Sequence, residues 1–497
     1  MKNILKHIWK ITTLILFVVI AILYIDFSPE KKEFNNNLKS YQGKKAKYIF
    51  YFIGDGLGIQ QSNAAEIYMA SIQGKIGINK LNLNKLKIQA FFTTYAEDRY
   101  ITGSAAAGTA MATGYKTTIN TISMDATRQK NLKTITEIAK ENGMKVGIIS
   151  CVDIDHATPA CFYSHQPSRN NFYEIGIDLA NSDFDFFGGG GLRYPAGINN
   201  DKKINAYVLA EKNAYRIVDN KAEFEKLDNN SGKIIAISPV LYNSGSTRYI
   251  IDQNEEDISL TEFTKKAIEV LDNNKGFFIM IEGGKIDWAC HANDAATTIH
   301  EVLEFDKAIG EAIEFYKKHK DETLIVVVGD HETGGMTIGF AGTGYESFFH
   351  KLQHQKISFY EFNKLIKKYK EENINNPKFS DILELIKIYF GLGDDSLGLG
   401  LSKLEISMLK DAFMISMINN NNNNEDKTYL LYGGYEPITV TTTHILNQKA
   451  GISWTTYAHT GTPIPIRVHG TGNELFSGYY DNTDIPKKIM KVMGFEF

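Results

Sequence analysis

Several short stretches of the chain set metal-ligating side chains at the ends of apolar runs. "AKYIFYFIG" (46–54) leads into "GDGLG", which presents Asp55. "GFFIMIEGG" (276–284) runs into "EGGKIDWACH", which offers Glu282 and then Asp287 and His291, four residues apart. On a helix that spacing puts both on one face, where they can share a cation. "TLIVVVGDH" (323–331) ends in Asp330 and His331 side by side, and "YAHTGTPIPI" offers His459 in a loop of small residues. Each stretch alone is an ordinary surface pattern; the combination carries the reading. Mixed His/Asp ligation suits zinc, and two such sites close together form a clamp for in-line displacement at phosphorus.

A nucleophile is available in "ITGSAAAGTAMATGYKT" (101–117), where Ser104 heads a run of small residues with no charge before Lys116. A serine at the start of a helix meets free backbone N–H groups and the positive end of the dipole. A nearby zinc would lower its pKa and make it an alkoxide. The small residues behind it would let the backbone pack tightly beneath a metal cluster. Two other motifs fail. The third glycine of a dinucleotide fingerprint is missing after "GDGLG", since Ile59 and Gln61 hold the candidate positions, and Asp55 would repel a pyrophosphate unless a metal lay between them. The nucleophile elbow G-x-S-x-G fails at Ala106.

These residues need a sheet to bring them together. The near-continuous apolar runs read as buried parallel strands. "KTITEIAKENGMKVGIIS" (133–150) reads as helix, turn and strand, and 295–319 as a long helix. Alternation of this kind predicts an α/β class: a doubly wound, mostly parallel central sheet with helices on both faces and functional groups at the carboxyl ends of the strands. From about 340 to 426 amphipathic helical patterns replace the alternation, which reads as a helical insertion. It closes on six asparagines, Asn419–Asn424, read as a loop tip, and "GLGDDSLGLG" (391–400) reads as a turn.

The 497 residues, 43% hydrophobic and 23% charged, suffice for a large core. A net charge of −4 gives no reason to expect a nucleic-acid partner. Cys151, Cys161 and Cys290 form no C-x-x-C pair, so a disulfide scaffold or a thiolate zinc site is not indicated. The spacing of Cys151 and Cys161 leaves a bridge between them open. Lys2, Lys6 and Lys10 precede the apolar run Ile11–Ile25. Residues 1–29 therefore read as an export signal or an uncleaved membrane anchor, 30–45 as a linker and 46–497 as the catalytic body. The body is expected in the periplasm or outside the cell, with membrane contact only through residues 11–25.

Six motifs in order, "GDGLG", "GSAAAGTAMATG", "HATPA", "EGGKID…H", "GDHETGG" and "HTG", give the chain a resemblance to the alkaline phosphatase family, from about Lys44 to Phe340 and again around His459. The resemblance implies hydrolysis of phosphate monoesters, with broad specificity, through a phosphoserine at Ser104. It implies that Asp287, His291 and His459 hold a first zinc, which serves dephosphorylation. Asp55, Asp330 and His331 would hold a second, which activates the serine. Asp55 would bridge to a third metal, usually magnesium, held with Thr158 and Glu282, and Arg169 would clamp the phosphate with its planar guanidinium. A homodimer is compatible with the resemblance.

Three positions depart from the best-known bacterial pattern. Gly103 replaces an acidic residue, His156 stands where some members have aspartate, and Trp288 where some have lysine or histidine. Histidine suits zinc better than magnesium, so His156 is either a ligand of the third metal or a neighbour of its ligands, and zinc could replace magnesium there. The rival readings are a phosphodiesterase of the same superfamily and a non-catalytic surface protein that binds metal or phosphate. Arg169 and Glu282 argue against the first, and the retention of Ser104 with every zinc ligand argues against the second.

Overall fold

In a computed structural model the chain is described over residues 41–198, 203–418 and 425–496. The export or anchor segment, most of the linker and the asparagine run lie outside the described residues. The uncharged run Tyr48–Gly54 forms strand β1, every residue of it buried. Tyr48, Phe50 and Phe52 join one apolar cluster and Ile49, Tyr51 and Ile53 another. Alternate side chains thus enter two cores on opposite faces, which is why the run carries no polar alternation. Each fully buried Phe or Ile contributes on the order of 1.5–3 kcal/mol.

Ten strands form one sheet around β1. On one side, all parallel, lie β7 (Phe277–Glu282), β3 (Lys145–Ser150), β4 (Phe186–Gly189), β6 (Lys233–Ile237) and β5 (Tyr215–Val218). On the other side lies β8 (Thr323–Gly329), parallel to β1. Next comes β13 (Ile464–Gly470), antiparallel to both of its neighbours, β8 and β2 (Ile88–Thr93). The strand β14 (Tyr479–Asp481) pairs parallel with β2 at the edge. The predicted doubly wound α/β sheet is observed, with β13 its one antiparallel strand among the described residues.

Helices cover both faces. On one face Leu260–Leu271 and Ala295–Lys318 bury Phe263, Ala267, Ile299, Val302 and Phe305. On the other, Ile135–Glu141, Phe172–Asn181 and Asp484–Met493 bury Ile135, Ile175, Leu179, Ile485 and Ile489. Two of these helices start with capping boxes, Thr134 with Glu137 and Ser259 with Glu262. Such a cap is worth about 1 kcal/mol and fixes where the helix begins.

A helical block leaves the body after β10 (Thr337–Ile338) and returns at β11 (Ile452–Ser453), which pair with each other. Its helices include Phe359–Glu372, Phe379–Phe390, Lys403–Ile418 and Pro437–Ala450. Phe362, Ile366, Ile386 and Phe390 continue the apolar cluster of the sheet face. The block is also tied by polar contacts: Gln355 Nε2 donates to both oxygens of Asp294, and Ser358 N–H donates to Asp252 at 2.8 Å.

Candidate active site

Register brings the strand ends together. Ile53 of β1 pairs with Glu282 of β7, Ser150 of β3 also pairs with Glu282, and Gly54 of β1 pairs with Gly329 of β8. Asp55 and Asp330 therefore step off adjacent strands, with Glu282 ending the next one. All three are fully buried. Ser150 Oγ donates to Glu282 Oε2. The turn after β1 requires glycine: Gly56 has φ +72°, and a Cβ there would lie 2.9 Å from Asp287 Cα. Its N–H donates to Asp330 Oδ1 at 3.0 Å.

Beyond β7 the helix α3 (Lys285–His291) carries Asp287 and His291 on one face, with His291 Nε2 3.3 Å from Asp287 Oδ2. His459 arrives from far downstream through a two-residue strand, β12 (His459–Thr460), which pairs with β9 (Glu332–Thr333). That ladder stacks the His459 ring on His331, centroids 3.6 Å apart.

Backbone carbonyls fix the tautomers of two histidines. His291 Nδ1 lies 2.6 Å from Tyr457 O, and His459 Nδ1 lies 2.8 Å from Thr102 O. A carbonyl can only accept, so each Nδ1 carries a proton, and in the neutral ring that a cation requires each Nε2 presents a lone pair. The two Nε2 atoms lie 3.1 Å apart, with His459 Nε2 3.7 Å from Asp287 Oδ1. Lone pairs converging beside a carboxylate are a cation site with oriented ligands. Thr333 helps to hold it, donating to Asp287 Oδ1 at 2.5 Å.

The second group is Asp55, Asp330 and His331. His331 Nε2 lies 3.1 Å from Asp330 Oδ2 and 3.5 Å from Asp55 Oδ1. The third is Asp55, Glu282 and His156, with His156 Nδ1 3.9 Å from Glu282 Oε1. In each of the three groups the ligand atoms lie within 4.8 Å of one another. Thr158 Oγ1 donates to Asp55 Oδ2 at 3.4 Å, which sets it beside the third group. Arg169 reaches the same place, its Nη2 2.7 Å from His156 Nε2.

The residues fit divalent cations. Asp55 Oδ1, Asp330 Oδ2 and Glu282 Oε1 are buried with no hydrogen-bond partner. Burial, followed by the charges of Asp287 and Glu282, pushes Asp330 up to about 8. Burial pushes Glu282 up to about 7, and burial with Asp330 lifts Asp55 well above the usual carboxylate range. Such a cluster of buried carboxyl groups calls for counter-charge.

Ser104 opens helix α1 (Ser104–Thr113), all ten residues of which are buried. Its Oγ lies 3.4 Å from His331 Nε2. The small residues have a specific neighbour: a Cβ on Gly108 would lie 3.0 Å from Cys161 Sγ and 3.6 Å from Thr158 Cα. The run thus lets helix α2 (Ala157–Ala160), which carries Thr158, press against the helix that carries Ser104. All three cysteines are free and buried. Cys290 Sγ points to Thr298 at 3.7 Å, away from the ligand groups.

Sequence reasoning missed the supports. Ser150 and Thr333 stand within or beside the motifs, but their partners are set by strand register. The carbonyls of Thr102 and Tyr457 carry no side-chain signal at all.

Comparison with known proteins agrees with this geometry. The family model of alkaline phosphatase matches residues 46–495. The chain is 31% identical over 474 residues to alkaline phosphatase 3 of Bacillus subtilis, covering 93% of this chain and 91% of that one. It is 27% identical to the human tissue-nonspecific isozyme of alkaline phosphatase, over 62% of this chain and 67% of the relative. The cold-active alkaline phosphatase of a psychrophilic Shewanella sp. aligns with a TM-score of 0.73 at 27% identity, covering 90% of this chain and 99% of that one. A TAB5 alkaline phosphatase variant, with a histidine replaced by glutamate and Mg bound in its M3 site, aligns at 0.63 with 25% identity, covering 92% and 100%. A match spanning the whole body, with the strand-end carboxylates, the histidines and the helix-leading serine gathered at the carboxyl ends of the central strands, makes this chain a member of the alkaline phosphatase family.

Proposed function

We propose that the protein hydrolyses phosphate monoesters through a phosphoserine at Ser104. Zinc is assigned to Asp287, His291 and His459 and to Asp55, Asp330 and His331. Magnesium, or zinc in its place, is assigned to Asp55, Glu282 and Thr158, with His156 beside them. The observation that carries the reading is Ser104 Oγ, 3.4 Å from His331 Nε2 at the head of a buried helix, with the ligand groups converging beside it. The TAB5 variant that binds magnesium in its M3 site has glutamate in place of a histidine, which supports magnesium in this family at a site whose ligands are oxygens.

The cations, when bound, would neutralise phosphate oxygens and lower hydroxyl pKa values. Ser104 Oγ attacks phosphorus as the bond to the alcohol oxygen breaks, and the alcohol leaves with a proton. Water then displaces Ser104 from phosphorus, releasing inorganic phosphate and restoring the hydroxyl. The first N–H groups of helix α1 have no intrahelical acceptor and face negative charge favourably. Arg169 can release His156 and donate two parallel hydrogen bonds to phosphate oxygens.

Residues 1–29 support placing this activity outside the cytoplasm, and cell fractionation tests that placement. The activity is tested by comparing an aryl phosphate monoester with a diester at alkaline pH. Chelator-stripped protein is given nothing, zinc, or zinc with magnesium. Zinc-dependent monoesterase activity is expected. A preference for the diester would move the chain to the phosphodiesterase reading.

A further inference from the structure

The side-chain amide of Asn293 bridges the two segments that bring His291 and His459 together. Its Nδ2 donates to Cys290 O at 2.9 Å and to Thr456 O at 3.0 Å. Cys290 and Thr456 directly precede His291 and Tyr457, the pair in which Tyr457 O holds His291 Nδ1 at 2.6 Å. One NH2 group, with its two hydrogens, therefore spans from the end of helix α3 to the loop that leads into His459. The backbone there is left-handed: Asn293 follows Ala292, the cap of helix α3, with φ +52°. Asparagine enters that region more readily than most side chains, and glycine enters it without carrying an amide.

The helical block braces this bridge from the other side. Both hydrogens of the Asn293 amide go to carbonyls, so its Oδ1 accepts, and His444 Nε2 donates to it at 3.1 Å. Asn447 Nδ2 donates to Asn293 O at 2.7 Å. The His444 ring also stacks on Tyr457, with the planes 16° apart. Both residues belong to helix Pro437–Ala450, which Ile438, Val440, Ile445 and Leu446 fix in the apolar cluster of the sheet face. Asn293 and Asn447 are buried, so bulk water does not compete for these bonds.

We propose that Asn293 is the positioning residue of the Asp287–His291–His459 group, braced by His444 and Asn447 of the helical block. The proposal rests on the assignment of zinc to that group and adds a residue outside the ligand set. Asn293 acts through carbonyls. By fixing Thr456 against Cys290 it keeps Tyr457 O on His291 Nδ1, and so keeps His291 Nε2 turned towards His459 Nε2 and Asp287. The block thereby has a role in metal retention, although it supplies none of the three ligands.

The test measures zinc binding to the full chain by competition with a chromophoric chelator, without substrate. The class of zinc that His291→Ala abolishes marks this group. Asn293→Gly keeps the left-handed backbone accessible and removes only the amide. It should weaken zinc in the marked class by about 10- to 100-fold, as loss of a residue that orients a metal ligand does, and leave zinc at the other group unchanged. Hydrolysis of an aryl phosphate by this variant should fall at limiting zinc and recover as zinc is raised. Equal zinc affinity in Asn293→Gly and the wild type would overturn the proposal. Equal losses in both classes would also overturn it, since general loosening of the fold does that. His444→Phe keeps a ring against Tyr457 and leaves helix α3 untouched, and should weaken the marked class by a smaller factor. Should Asn293→Gly not fold, His444→Phe decides alone, and unchanged affinity there would overturn the proposal. A wild-type protein with no zinc in a class that depends on His291 would instead remove the zinc assignment on which the proposal rests.

Discussion

Arg169 Nη2 lies 2.7 Å from His156 Nε2. A guanidinium only donates, so His156 accepts through Nε2 and a neutral ring then carries its proton on Nδ1, the atom turned towards Glu282. Burial, then the charge of Arg169, holds the imidazole down to about 4, so it is neutral at working pH. In this arrangement His156 offers no lone pair to a cation at Asp55 and Glu282. When phosphate draws Arg169 away, Nε2 loses its donor and the proton can exchange between the two nitrogens.

His156→Asp should therefore convert the third group to an all-oxygen set, which suits magnesium. Activity of the zinc-loaded variant should gain severalfold from added magnesium, against a small gain in the wild type. A magnesium titration of activity, paired with metal analysis, measures both. An unchanged magnesium response would remove His156 from control of that group.

Ser104→Ala should lower kcat by roughly 10^3 to 10^6, the span seen when a covalent nucleophile is removed. Bound zinc should stay near the wild-type level, because Asp55, Asp330 and His331 remain to hold the cation beside Ser104. Acid-quenched enzyme should carry covalent phosphate in the wild type and none in the variant.

Gly56→Ala combines a left-handed φ with a Cβ only 2.9 Å from the Asp287 backbone. The conformation alone costs on the order of 1–3 kcal/mol, and helix α3 must also shift. Thermal unfolding should show a loss of at least that size. Zinc affinity should fall with it, because Asp287 and His291 ride on the displaced helix.

Asp252 ties the body to the helical block through Ser358, and burial raises its carboxyl from 3.8 to about 6. Between those values the folded protein keeps a proton that the unfolded chain has lost. Stability from this group is full below pH 3.8, falls as pH rises through about 6, and stays lost above. The whole effect is at most roughly 3 kcal/mol. Asp252→Asn should flatten this part of the pH–stability profile and leave the protein no less stable at pH 8, read from melting curves across pH.

The sequence shows the strand ends well and their supports poorly. Asp287 and His291 could be placed together because four residues make one helical turn. Asp55 and Asp330 could be placed at strand ends because short, wholly apolar runs bounded by glycine read as buried strands. The partners of His291 and His459 could not be read, since a carbonyl of Tyr457 or Thr102 looks like any other in one dimension. Strand β13 was equally hidden. Its "IPIRVHG" carries Pro465 and Arg467, yet Arg467 is buried, donating through Nε to Asn84 at 2.7 Å and through Nη2 to Ser62 at 3.0 Å.

Strand β13 also sets an order of events. It stands between β8 and β2, and β14 attaches only through β2. One edge of the sheet therefore has no template until nearly the whole polypeptide exists, and His459 arrives in the same late stretch. A nascent chain that stops before β12 has β2 without its sheet neighbours and a ligand group of Asp287 and His291 that lacks His459. The single stretch from His459 to Asp481 supplies both the third ligand of that group, an imidazole, and the two strands that flank β2, one of which joins it to the rest of the sheet.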